Sequence, residues 1–176
     1  MPQSIWTSTL DAFRERLASV ESVPAGVSTA AVSAACALGL LIKVVAIASR
    51  RRDFTGHPEV AAALMNDAKT HADILARCAD EDIDAFRQRL RAAIEVPLNV
   101  VRAAIAGLSL CDQAQTMVHA AVAPDLSAAK TLLAAAARAT FFSLEANLQQ
   151  LPAGDPFRQD VTVQARELQQ KLSAHG

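Results

Sequence analysis

The stretch PEVAAALMNDAKTHADILARCADEDIDAFRQRLRAAI, residues 58–94, decides the fold class. No Gly and no internal Pro interrupts it, and Pro58 suits the first turn of a helix because its missing N–H would have no partner there. Pro97 is expected to end or kink the helix that follows. On a wheel of 100° per residue, Leu64, Ala68, His71, Leu75, Cys78 and Phe86 fall within an arc of about 80°, an inward-facing stripe. Asp82 lands in the middle of that stripe, about five turns from Leu64 and in line with it. Lys69, Asp73, Arg77, Asp80, Asp84, Arg87 and Arg91 gather on the opposite, wet side. The acidic run DEDID (80–84) is therefore mostly a solvated face, with Asp82 its exception.

Helical patterning continues on both sides. A first helix is predicted from about Ser8 to Ser19, with Thr7 or Ser8 as N-cap and Leu10, Phe13 and Leu17 at spacings of three and four. After Pro24 and Gly26, Ser28 opens a long apolar helix to about Arg52. Beyond Pro97 a helix runs to about Ala123. Pro124 interrupts, Asp125 can cap the next helix to about Leu151, and PAGDP (152–156) is a turn before a polar amphipathic helix to about Ser173. Short connections favour antiparallel neighbours, so the expected architecture is an all-α, up-and-down bundle of five to six helices in one domain, 1–176.

Composition agrees. The 176 residues include no Tyr, one Trp and about 38 Ala, which leaves a strand-rich fold short of its usual β-branched and aromatic residues. Lys+Arg (17) nearly balances Asp+Glu (18), so no basic field exists to attract nucleic acid. Thr29 to Ser49 is long enough to cross a bilayer, but Ala and Ser dominate it and Lys43 interrupts it. A helix buried in a bundle or at a subunit interface is the preferred reading, with no membrane. Cys36, Cys78 and Cys111 are odd in number and widely spaced, which fits buried free thiols in a reducing compartment. No secretory pattern is visible at Met1–Asp11, and a cytoplasmic location is expected.

A carboxylate on an inward stripe must find partners or hold its proton, because an isolated buried charge is costly. Asp82 therefore either pairs with an Arg or caps a neighbouring helix end, or is a general acid/base whose pKa burial raises toward neutrality. His71 lies about 16 Å along the helix from Asp82 and is read as a satisfied core histidine. His57, His119 and His175 sit near helix ends, no HExxH or similar spacing occurs, and no metal site is expected. Ser28 lacks the Gly-x-Ser-x-Gly context of a hydrolase nucleophile.

Several segments resemble one family in order along nearly the whole chain. PAGVSTAAVSAA from Pro24 is similar to the Pro-Gly-Gly-Gly-Ser-Ala-Ala turn and helix of the cyclodeaminase/cyclohydrolase family, which includes formiminotetrahydrofolate cyclodeaminase and methenyltetrahydrofolate cyclohydrolases. RRRDF (50–54) is similar to the basic pair and aromatic that close the same helix. DEDIDAF (80–86) resembles the family's Asp-x-Asp-Ala-x-Ala-Phe signature, and EVPL (95–98), APDLSAA (123–129) and FFSLEANL (141–148) follow in family order. The chain departs from the pattern at Ala25 and Val27, which replace glycines, at Arg50, which replaces another, and at Ser143, where Asn is frequent. Some twenty residues between the Asp and Val-Pro-Leu motifs are missing.

The resemblance implies an all-α bundle that forms a homodimer, with the second Asp of the motif, Asp82, as catalytic acid/base. It implies a tetrahydrofolate derivative as substrate, with no covalently bound cofactor. Gly26, Ser28 and Asp125 are the expected substrate-binding positions of the matched motifs. Arg51 and Arg52, with Lys130 and Arg138, are expected to meet a folate's glutamate tail. The alternative is a catalytically inactive or re-purposed helical homodimer of the same fold.

Overall fold

A computed structural model describes residues 4–88 and 91–175. The side chains of residues 86–88, including Phe86 and Arg87 of the expected stripe and outer face, lie outside the described residues. A short 3-10 helix (Ile5–Thr7) precedes α1 (Leu10–Leu17), α2 (Gly26–Ser49), α3 (Pro58–Gln88), α4 (Ala92–Gln115), α5 (Ala123–Gln149) and α6 (Pro156–Ser173). No strand occurs among the described residues.

Four long helices form a square in which α2 packs on α3, α3 on α4, α4 on α5 and α5 back on α2. The 3-10 helix lies on α3, and α6 covers the α4/α5 edge. The α2–α4 diagonal is closed at Gly107, where an added Cβ would come within 2.9 Å of the Leu38 side chain and 3.1 Å of Leu133. The core includes Leu38, Leu41, Leu75, Ile94, Leu108, Leu133 and Leu144, all essentially without exposure. By length and composition α2 and α4 could each cross a membrane, but half of the α2 window and most of the α4 window are buried in this bundle. Core packing therefore accounts for the apolar character of α4 and of the inward half of α2.

The helix limits differ from the sequence reading at instructive places. α1 starts at Leu10, with Thr9 as its N-cap accepting from the Ala12 N–H at 3.1 Å. α2 starts two residues before Ser28, and its N-cap Ala25 offers no side-chain acceptor. Among the described residues no backbone has positive φ, so Ala25 and Val27 stand without strain where the motif has glycine. The long third segment is two helices, α3 and α4, and Pro97 lies inside α4 instead of ending a helix. Its ring removes the N–H that would bond the Ala93 carbonyl. Asn147 of α5 supplies a donor instead, Nδ2 to the Ala93 oxygen at 2.7 Å. Pro124 does not interrupt: α5 begins at Ala123 with Pro124 and Asp125 in its first turn, where a proline is tolerated and Asp125 faces the positive end of the dipole.

Candidate active site

α3 carries Asp82 to the first turn of α2. Asp82 Oδ2 accepts from the Ser28 backbone N–H at 3.1 Å and from the Ser28 hydroxyl at 2.7 Å. Ser28 is the third residue of α2, so its N–H is one of the donors a helix start leaves without an intrahelical acceptor. Asp82 thus serves from a neighbouring helix as the cap that Ala25 cannot provide. Ser28 is fully buried, whereas Asp82 is half-buried. Oδ1 of Asp82 has no hydrogen-bond partner among the described residues. Burial raises the Asp82 carboxyl above its ordinary value, and the two Ser28 bonds pull it back only in part.

The third wall is α5. A Cβ on Gly26 would meet the Ser143 hydroxyl oxygen at 3.9 Å, which places Ser143 beside the α2 N-terminus. Val27 is buried as part of the hydrophobic core. One anchored carboxyl oxygen, one unpartnered oxygen and a raised proton affinity make a group able to give or take a proton.

The other expected residues lie elsewhere in the chain. Gly26 and Ser28 are at Asp82. Arg51 and Arg52 follow the far end of α2, about 36 Å along its axis. Both are exposed, and Arg51 forks onto Asp53 at 2.8 and 2.9 Å. Lys130 and Asp125 are about 20 and 27 Å along α5 from Ser143, at that same far end. Lys130 donates to Asp112 Oδ1 at 2.5 Å, and Asp112 Oδ2 lies 2.7 Å from His175 Nδ1. Burial disfavours the Asp112 charge, but the bonds from Lys130 and His175 outweigh it and hold the carboxyl below its ordinary value. Arg138 is nearest to Ser143, yet it lines a groove of about 490 Å³ between α5 and α6 with Phe141, Phe142 and Glu145. Grooves of about 470 and 290 Å³ between α4 and α6, and one of about 250 Å³ beside Arg51 and His119, also exclude Asp82 from their linings. A single chain therefore unites Gly26, Ser28 and Asp82 and leaves the expected cations remote.

Several smaller expectations need correction. Cys36 is exposed, because α2 turns that face away from the square. Cys78 and Cys111 are buried as free thiols, with burial pushing them up to about 11 and about 12. His71 is not satisfied: its Nδ1 is buried without a partner among the described residues. Asp80 is not simply solvated, since it accepts from Ser4 Oγ at 2.6 Å and the Ile5 N–H at 2.8 Å and so holds the N-terminal segment on α3. Among the described residues no group of three or more His, Cys, Asp or Glu is arranged to hold a metal. Sequence reasoning missed Asn147, although a proline within a helix signals an orphaned carbonyl four residues earlier.

Comparisons with known proteins agree with this architecture. The chain matches the Formiminotransferase-cyclodeaminase family over residues 9–92 and 87–167. The crystal structure of formiminotetrahydrofolate cyclodeaminase from Thermotoga maritima is similar with a TM-score of 0.90 at 17% identity, covering 97% of this chain and 93% of that one. At that identity the likeness concerns the fold. No curated protein sequence matches significantly.

Proposed function

Because the chain belongs to the Formiminotransferase-cyclodeaminase family, we propose that it acts on a one-carbon unit carried by a reduced folate, with Asp82 moving the proton. The observation that carries this reading is the Asp82 carboxyl, fixed through one oxygen by Ser28 and unpartnered at the other. In cyclodeamination N10 of the pterin cofactor attacks the formimino carbon on N5, forming a C–N bond. The formimino group reacts in its protonated form, C=NH2+; Asp82 takes the N10 proton and returns it to the exocyclic nitrogen, whose C–N bond breaks as ammonia leaves and the positive charge passes to the methenyl bridge. In cyclohydrolysis water adds to the methenyl carbon and the same carboxyl accepts its proton. The adduct then opens to the 10-formyl compound as its C–N5 bond breaks and the hydroxyl proton passes to N5. The ionised carboxylate also stabilises the cationic methenyl group. Gly26 lines the approach and Ser28 holds the carboxyl in place; Arg51, Arg52, Asp125, Lys130 and Arg138, which one chain holds away from Asp82, are proposed as outer contacts only from the other subunit. The enzyme works as a cytoplasmic homodimer.

One observation favours the non-catalytic alternative. The Asp82 contact is also a helix cap, so a protein without activity has a structural reason to keep it. Thermal-shift titration with tetrahydrofolate, 5-formyl and 5,10-methenyl derivatives separates the readings. A ligand at about 100 times its Kd stabilises by about 2.7 kcal/mol, which raises Tm by roughly 5–10 °C for a chain of this size. No shift at millimolar ligand would overturn folate binding.

A further inference from the structure

Asp80 and Asp82 stand about 3 Å apart along the axis of α3, and each holds one end of the same segment. Asp80 accepts from the Ser4 hydroxyl at 2.6 Å and from the Ile5 N–H at 2.8 Å, and Trp6 Nε1 donates to the Ala76 carbonyl one turn away at 2.9 Å. Asp82 holds Ser28 at the other end. Ile5 is buried at the first foot, and Val23 and Pro24 at the second. The chain between these feet could span about 70 Å if extended, so it arches out from the Asp82 end of the bundle and returns to it. α1 is the body of this arch, with irregular backbone at 8–9 before it and at 18–25 after it. Among the described residues it lies closely along none of the long helices. Leu10, Phe13 and Leu17 share an arc of about 60° on its wheel. Yet Phe13 is buried and Leu17 half-buried while Leu10 is 81% exposed, so the first turn of α1 overhangs the bundle surface. A segment with few buried contacts between two anchored ends opens and closes locally at low cost.

We propose that residues 6–27 are a flap that closes over Asp82, and that Asp80 is the positioning residue that holds its first foot. In the open form Ala25 and Gly26 are exposed, and none of the four grooves described above is lined by Asp82. The Asp82 hydrogen bonds use Oδ2 alone, which leaves Oδ1 turned to the space the flap would cover. A carboxyl that moves a proton between carbon-bound nitrogens works best with bulk water excluded, and a cover on two fixed feet provides this without disturbing the four-helix square. Inward movement of α1 also buries Leu10, because it already lies on the side of the helix that faces the bundle. The two aspartates of DEDID thus divide the work: Asp82 fixes the start of α2 and offers its free oxygen, and Asp80 keeps the flap in register above it. That the flap serves a ligand rests on the proposed reading of Asp82; the arch and its tie to Asp80 do not.

Limited trypsin digestion of the full chain, read by mass spectrometry, tests the flap. Arg14 and Arg16 lie in α1, and the exposed Arg50, Arg51 and Arg52 at the other end of α2 are the internal control. Without ligand, Asp80→Ala is expected to speed cleavage after Arg14 and Arg16 about tenfold, because proteolysis follows the open population, with cleavage at the control site unchanged. Emission of Trp6, the chain's one tryptophan, should shift to the red in the same variant. Asp80→Glu, which keeps both acceptor oxygens, should recover part of each effect. Ser4→Ala removes one of the two bonds from outside the bundle and should give a smaller increase, which keeps the test available if Asp80→Ala fails to fold. With 5-formyltetrahydrofolate at a concentration that raises Tm, flap cleavage should slow about tenfold relative to the control site in wild type, and much less in Asp80→Ala. Cleavage unaffected by Asp80→Ala and Ser4→Ala, or a ligand that raises Tm without slowing flap cleavage, overturns the proposal. No rise in Tm with any folate derivative, beside a clear effect of Asp80→Ala on the flap alone, refutes the functional reading and supports the Asp80-held flap.

Discussion

Replacing Asp82 tests the helix-start contact without recourse to catalysis. In Asp82→Ala the buried Ser28 N–H and hydroxyl lose their acceptor, and α2 has no cap of its own to substitute. Leaving buried donors unsatisfied costs about 1–3 kcal/mol, and loss of a cap alone costs about 1 kcal/mol. The two descriptions cover the same bonds, so about 2 kcal/mol is expected, or roughly 4–8 °C in Tm for a chain of this size. Asp82→Asn keeps an oxygen facing both donors and removes the buried charge. Burial already raises the Asp82 carboxyl, so this variant is expected within about 0.5 kcal/mol of wild type at neutral pH. The sign with pH is also fixed. A raised folded pKa contributes stability that is fully present below the unfolded value of 3.8 and is lost as pH rises through the folded value. Wild type should therefore gain on Asp82→Asn as the solution is acidified from neutrality. Chemical denaturation at a series of pH values reads all of this. An Asp82→Ala chain as stable as wild type, or Asp82→Asn losing as much as Asp82→Ala, would refute the reasoning.

Two further outcomes are expected. Asn147→Leu orphans the Ala93 carbonyl that Pro97 cannot serve, and denaturant titration should show a loss of about 1–3 kcal/mol; a neutral effect would mean that water replaces the amide. Asp112 has the opposite linkage sign to Asp82. Its lowered carboxyl contributes stability above 3.8 that is lost as pH falls through its folded value, so the deficit of Asp112→Asn should shrink on acidification, and a deficit constant with pH would contradict it.

The inward position of Asp82 was legible because α3 is a long uninterrupted helix, so a wheel separates its faces. α2 gave no comparable signal, since it is apolar nearly all round and periodicity cannot distinguish the face toward α4 from the face toward solvent. Cys36 was misread for that reason. Pro97 and Pro124 look alike in sequence as interruptions, yet one is accommodated within α4 by a donor from α5 and the other sits harmlessly in a first turn. Partnerships between helices such as Asn147 with Ala93, or Asp112 with Lys130 and His175, join residues far apart in sequence and leave no periodic trace. The family motifs found Ser28 and Asp82 together, but they could not show that Arg51, Arg52 and Lys130 lie at the other end of the same bundle.

Turnover of 5-formiminotetrahydrofolate and 5,10-methenyltetrahydrofolate by wild type and by Asp82→Asn, followed by the methenyl absorbance, bears most directly on the proposed role of this carboxyl. The expected result is a wild-type enzyme active on at least one of them. Asp82→Asn should then bind that ligand with similar affinity and turn it over about 10²–10⁴-fold more slowly. Equal rates for the two proteins, or a correctly folded wild type that converts neither compound, would contradict it.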